Sequence, residues 1–197
     1  MNTPAKLAIA LGLFLVAAAA LTRRGQQIIA QAEESGGELV GEFGETILQA
    51  VGGFSQRAVE LVKSFEGYSP VSYPDAGGYS IGYGHFLGSQ PAATQITQAE
   101  ASALLAADMS KAQDLVLGHV GVPLTSGQFD ALTSLTYNVG PAVWTNRDGS
   151  DTRLKKALAQ GDYPSAADAI LLFKYSQGRV LPALVARREA ERNVFLS

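Results

Sequence analysis

Hydrophobic and polar positions divide this 197-residue chain into three segments. Residues 7–21 are apolar without interruption, with charged side chains on both sides of the run. Residues 25–53 hold five glutamates, clustered glycines and no lysine or arginine. Beyond residue 54, apolar residues recur at helical spacing in several stretches, which is typical of a folded domain. The pattern predicts a membrane segment at 1–24, an acidic tether at 25–53 and a globular domain at 54–197.

The N-terminal apolar run is short for a transmembrane helix. Its fifteen residues would span roughly 22 Å as a helix, against a bilayer core of about 30 Å, although Lys6 and Arg23 can extend that reach. Three interpretations stay open: a retained anchor, a signal peptide cleaved near residues 18–20, or a weakly hydrophobic signal that later leaves the bilayer. We prefer a retained transmembrane helix because Arg23 and Arg24 directly after the run oppose export.

The globular domain is predicted to open with a helix that ends at Glu66. Ser55 can cap its first turn, and Val59, Val62 and Phe65 make an apolar stripe at helical spacing. A glycine follows Glu66 directly, which favours a helix stop.

A segment rich in glycine and tyrosine follows and predicts a small β-hairpin. Two short β-like runs, at 71–73 and 79–83, flank a Pro-Asp-Ala-Gly-Gly turn that contains Asp75. We expect Glu66, placed beside Phe65, to have a raised pKa and to donate a proton, whereas Asp75 in an open turn stays ionised. Cleavage of a glycosidic bond requires this division between an acid and a base or nucleophile.

The rest of the domain is predicted to be helical. Capping boxes at Thr97 and Thr125, a cap at Asp162 and a proline at residue 182 mark helix starts. The long helix after Thr97 is expected to bury a face made of Ala103, Leu104, Ala107, Leu115 and Val116. A β-hairpin followed by several helices predicts an α+β fold with a small β lobe and a larger helical lobe.

Composition narrows the possible chemistry. The net charge of −3 argues against nucleic acid as a partner. The chain has no cysteine, and its two histidines lack metal-ligand spacing, so we expect no disulfide and no metal. His85 is better explained as a hydrogen-bonded structural residue than as a ligand. The glycines of 77–84 do not open a helix, so we predict no phosphate-binding loop and no cofactor.

Three motifs, in order along the chain, resemble the phage-type lysozymes and endolysins of glycoside hydrolase family 24. The first motif lies within 64–85 and consists of S-F-E-G, then P-D, then G-G-Y-S-I-G-Y-G-H. The second is P-L-T-S-G-Q-F-D-A-L-T-S-L-T-Y-N-V-G at 123–140. The third is L-P-A-L-V-A-R-R-E-A-E at 181–191. A lone pair of acids such as Glu66 and Asp75 is more often structural than catalytic, but these matches cover nearly all of 54–197. The resemblance implies a lysozyme-like fold with a cleft between its lobes.

The resemblance also implies roles for individual residues. Glu66 matches the family's general acid, Asp75 its second carboxylate, and Ser80 the threonine whose hydroxyl helps hold the attacking water. Ser80 departs from the family because it lacks the threonine methyl, and the turn before it is one residue shorter than in many members. The residues expected to line the cleft and bind substrate are Phe86, Tyr137 and Asn138. Core packing of the two aromatic rings and carbonyl capping by the amide stay open as alternatives.

Three other side chains are assigned structural roles. Trp144 is interpreted as a packing residue on a loop. Arg187 or Arg188 is expected to pair with an acid inside the fold, near Glu66.

The implied activity is that of a peptidoglycan hydrolase. It would cleave the β-1,4 bond between N-acetylmuramic acid and N-acetylglucosamine, degrading the bacterial cell wall during phage entry or host lysis. Two alternatives stay open: a lytic transglycosylase, which needs a single Glu, and a non-catalytic wall-binding virion protein that keeps the fold. The expected partners are therefore peptidoglycan, a membrane reached through the N-terminal helix, and in one alternative other virion proteins.

The charges beside the membrane segment complicate its orientation. Two arginines after the segment against one lysine before it would leave the domain on the cytoplasmic side, whereas peptidoglycan lies on the other side. Either weak hydrophobicity tips the orientation, or the domain travels in a phage particle that carries a membrane. We expect a membrane-anchored protein, in the host inner membrane or a virion membrane, whose domain acts on the periplasmic cell wall.

Overall fold

The computed structural model describes residues 55–75, 77–92 and 95–197. The predicted membrane segment and acidic tether lie outside these residues, so both stay predictions. Among the described residues no helix combines the length and the apolar character needed to cross a bilayer. The chain divides into two compact units, whose described parts are a β unit, 66–108, and a helical unit, 55–65 with 109–197.

The secondary structure is α+β, as predicted. The helices are α1 Gln56–Glu66, α2 Gln98–His119, α3 Ser126–Val139, α4 Arg153–Ala159, α5 Tyr163–Ile170 and α6 Pro182–Phe195, with a 3-10 turn at Gly140–Val143. The strands are β1 Ser69–Asp75, β2 Gly78–Gly82, β3 His85–Gly88, β4 Tyr175–Ser176 and β5 Arg179–Val180.

The predicted caps begin these helices. The Ser55 hydroxyl accepts a hydrogen bond from the Ala58 N–H at 3.1 Å at the start of α1. At α3, Thr125 and Gln128 each accept from the other's backbone N–H, which closes the capping box. Asp162 accepts from the backbone of the first turn of α5. These bonds satisfy N–H groups that a helix cannot pair internally, so helix starts were predictable from sequence.

The β unit contains one more strand than predicted. Strands β1, β2 and β3 form an antiparallel sheet in that order, so the expected hairpin is a three-stranded sheet. Between β1 and β2, Gly77 has a φ of +86°, in the left-handed region that favours glycine. His85 is the first residue of β3, and its Nδ1 lies 2.6 Å from Asp108 Oδ2 of α2. This contact confirms His85 as a hydrogen-bonded residue.

The buried face of α2 differs from the predicted one. Of the predicted positions only Val116 is fully buried, and the buried residues of the helix are Ala101, Ser102, Leu105, Ala106, Met109, Ala112 and Val116. The helix carries alanine and leucine on most sides, so its periodicity allows more than one stripe. Packing against neighbouring elements selects between them.

The helical unit is organised around a fully buried tryptophan. Trp144 packs in the core, and the His119 ring stacks on it with centroids 5.3 Å apart. The prediction of Trp144 as a packing residue is confirmed. A short β4–β5 hairpin, which the sequence analysis did not predict, precedes α6.

A buried ionic cluster joins α6 to α3. Glu191 lies 3.2 Å from Arg187 Nε and 3.1 Å from Arg188 Nε, and it accepts a hydrogen bond from the Ser134 hydroxyl at 2.8 Å. The two arginines are at most 4% exposed and Glu191 is fully buried. Both arginines therefore pair with an internal acid, and that acid is Glu191. Arg187 also lies over the Phe65 ring at 5.5 Å, so the cluster contacts the residue directly before Glu66.

Candidate active site

Glu66 is the last residue of α1 and the first residue of the β unit. Gly67 follows with a φ of +67°, and the chain continues into β1 two residues later. A side chain at Gly67 would be strained in this conformation, so glycine allows the sharp exit that leaves Glu66 at the helix end. The Glu66 side chain is half-buried.

Asp75 and Ser80 meet across the first strand pair. Asp75 ends β1, and the fully buried Ser80 hydroxyl in β2 donates a hydrogen bond to Asp75 Oδ2 at 2.7 Å. Asp75 itself is exposed. The serine therefore holds one carboxylate oxygen from inside the sheet, at a residue that is exposed at the end of its strand. The hydroxyl suffices for this contact without the missing threonine methyl.

Tyr73 lies beside these residues, and the sequence did not single it out. It pairs directly with Ser80 and stands two positions before Asp75, so all three share one face of the sheet. Burial raises the pKa of Tyr73, and the nearby charges of Asp75 and then Glu66 raise it further. The structure therefore brings Glu66 and Asp75 within electrostatic reach of one neutral phenol. The sequence offered one signal for this neighbour: Tyr73 stands two residues before Asp75 in a predicted strand region, and residues two apart in a strand share a face.

Phe86 lies on the same face of the sheet. It pairs with Ser80 from the other side, in β3, and its side chain is 53% exposed. This exposure argues against core packing, the alternative left open for Phe86. The ring lies against Gly78, where an added Cβ would stand 2.9 Å from Phe86 Cε2 and 2.1 Å from the Gly88 carbonyl oxygen. Only glycine fits at this position.

Gly78→Ala should therefore disrupt the site. The new methyl group would collide with the backbone oxygen of Gly88, which cannot move aside without breaking the β2–β3 register. We expect a loss of about 1–3 kcal/mol in the free energy of unfolding, measured by urea denaturation. Gly118→Ala in α2 is the matched control, because an added Cβ meets nothing within 4 Å there. Equal stability of the two variants would contradict the close approach.

Tyr137 and Asn138 belong to the helical unit, near the end of α3. Tyr137 is half-buried and Asn138 is exposed. The Asn138 Oδ1 accepts a hydrogen bond from Arg188 Nη2 at 2.7 Å, so its amide is oriented by the ionic cluster. This arrangement differs from the capping of helix carbonyls considered above. Sugar binding by Tyr137 and Asn138 stays a prediction.

The sequence and the fold both have relatives among known proteins. The profile of the Phage lysozyme family matches residues 63–191. The chain is 36% identical to the endolysin of Bacillus phage B103 over 146 residues, which cover 73% of this chain and 54% of that protein. It is 31% identical to the SAR-endolysin of Enterobacteria phage P21, covering 66% of this chain and 77% of that one.

The fold resembles a solved muramidase domain. The muramidase domain of SpmX from Asticaccaulis excentricus superposes with a TM-score of 0.64 at 33% identity, covering 73% of this chain and 97% of that one. The chain thus spans about half the length of the B103 endolysin but nearly all of this domain.

Proposed function

Since this chain belongs to the phage lysozyme family, we propose that it is a muramidase that degrades peptidoglycan. The bond cleaved is the β-1,4 linkage between N-acetylmuramic acid and N-acetylglucosamine. The observation that carries the proposal is the Ser80–Asp75 hydrogen bond of 2.7 Å, in a sheet whose exposed face also carries Phe86. A fixed carboxylate beside an exposed aromatic ring suits a sugar chain, because aromatic faces pack on sugar rings while the carboxylate serves as base.

In the proposed mechanism the two carboxyl groups act on opposite sides of the scissile bond. Glu66 gives its proton to the glycosidic oxygen as the bond from that oxygen to the anomeric carbon breaks. Asp75 orients a water molecule and takes a proton from it as the water oxygen bonds to the anomeric carbon. Ser80 keeps the Asp75 carboxylate in place by donating to Oδ2. The half-buried position of Glu66 at a helix end supports its assignment as the acid.

We also propose that residues 1–24 hold the enzyme at a membrane and that 25–53 tether the domain. The uninterrupted apolar run of residues 7–21 supports a membrane segment. The five glutamates of the tether favour a solvated connection to a domain that acts on the cell wall.

The products of digestion test the proposed reaction. The full-length protein is incubated with purified sacculi, and the soluble muropeptides are analysed by mass spectrometry before and after borohydride reduction. We expect products that end in a reducible N-acetylmuramic acid, because water attacks the anomeric carbon. Products that end in 1,6-anhydro-N-acetylmuramic acid would instead identify a lytic transglycosylase. Intact sacculi would leave the wall-binding alternative.

A further inference from the structure

The geometry points to Tyr73 as a positioning residue of this site, whose phenol donates a hydrogen bond to the water or sugar oxygen that lies beside Asp75. This inference rests on the proposed function, since it assigns a role within the same reaction.

The position of Tyr73 follows from the strand register. Within β1, Tyr73 and Asp75 are separated by two residues, and no register shift falls between them. Directly opposite, Ser80 contributes the hydroxyl that holds Asp75. Cross-strand neighbours on one face lie close enough to interact, so the half-buried Tyr73 stands next to the serine that holds the Asp75 carboxylate.

The protonation state of Tyr73 fits a donor. A phenolate at this place would be partly desolvated and would face the negative charges of Asp75 and Glu66, and all three effects favour the neutral form. Ser80, which pairs with Tyr73, and Phe86, which pairs with Ser80 from β3 on the same face, carry no charge. The O–H of Tyr73 therefore remains available throughout the range in which the two carboxyl groups exchange protons with substrate.

The activity test compares two tyrosines of the same sheet. Tyr73→Phe removes only the hydroxyl, and Tyr79→Phe makes the same change at the next pair in the register, where Tyr79 opposes Pro74 and points to the other face. With soluble peptidoglycan strands as substrate, we expect Tyr73→Phe to lower kcat about tenfold and to change KM less than about twofold. Tyr79→Phe should retain the wild-type kcat, and both variants should unfold at the wild-type temperature.

A titration tests the placement without using activity. Tyrosine ring signals are followed by NMR in the full-length protein with 13C-labelled tyrosine. We expect Asp75→Asn to lower the pKa of Tyr73, and Glu66→Gln to lower it by less. The pKa of Tyr68 should not change in either variant, because it is raised by burial, Tyr83 and Glu100 and these causes are the same in both variants.

The outcomes separate the inference from the proposed function. An inactive wild-type protein would overturn the muramidase assignment. An active wild type with equal kcat in Tyr73→Phe and Tyr79→Phe would overturn only the role of Tyr73. Should Tyr73→Phe fail to fold, the titration decides. A pKa of Tyr73 that is the same in Asp75→Asn as in the wild type would refute the placement.

Discussion

Glu66→Gln is expected to lower the rate of sacculus hydrolysis by about 10²–10⁴-fold while the fold is retained. Glutamine has nearly the same shape as glutamic acid, but its amide cannot give a proton to the glycosidic oxygen. Because Glu66 ends α1 and is half-buried, the substitution leaves the helix cap and the exit at Gly67 unchanged. The measurement is the loss of turbidity of a sacculus suspension over time, with circular dichroism as the check on folding.

Glu60→Gln provides the matched control for this experiment. Glu60 lies on the same helix, is exposed, and accepts a local hydrogen bond from Gln56 at 2.9 Å. Glu60→Gln changes the net charge by the same amount as Glu66→Gln, so a general electrostatic effect on binding to the wall would appear in both variants. Wild-type activity in Glu66→Gln would end the assignment of Glu66 as the acid. Equal losses in the two variants would show that charge matters and the position does not.

Glu191→Gln is expected to lower the free energy of unfolding by about 3–5 kcal/mol. Desolvation raises the pKa of Glu191, but Arg188 and Arg187 oppose this rise, and two buried guanidiniums that cannot lose their protons require a countercharge. We therefore expect Glu191 to be ionised at neutral pH. Replacing its carboxylate by an amide removes the negative charge that lies 3.2 Å from Arg187 Nε and 3.1 Å from Arg188 Nε in the interior.

Urea denaturation measures this loss, with Glu189→Gln as the control. Glu189 stands two positions earlier on α6 and is exposed, so its replacement should change stability by less than about 0.5 kcal/mol. A similarly small effect of Glu191→Gln would mean that the ionic cluster contributes little to the free energy of unfolding. Activity provides a second readout, because Arg187 packs on Phe65, the residue directly before the proposed acid. We expect residual activity of folded Glu191→Gln to be reduced as well.

Local signals in the sequence predicted most element boundaries. Ser55, Thr125 and Asp162 each satisfy backbone N–H groups within three residues, so their role does not depend on the rest of the fold. The β4–β5 hairpin lacked such a signal. Its turn uses Gln177 with a φ of +50° and Gly178 with a φ of +76°, and glutamine at this position is not typical of the turn.

The site was predicted in part. The motif identified Glu66, Asp75 and Ser80, and the structure joins the last two by a hydrogen bond. Tyr73 was missed because its relation to Ser80 depends on strand register, which a sequence does not state. The role of Asn138 in binding substrate stays a prediction, and its hydrogen bond from Arg188, fifty residues along the chain, could not be read from the sequence.

By itself the sequence determined the family, the α+β class and the residues at which several helices begin, because these depend on motifs and on hydrogen bonds between near neighbours. Tertiary structure alone decided which face of α2 is buried, that Arg187 and Arg188 share Glu191, and that Tyr73 stands beside Asp75. Each of those outcomes requires close packing of segments distant in the chain or a particular pairing of strands. Burial makes such contacts selective, since an unpaired charge or a displaced side chain in the interior costs several kcal/mol.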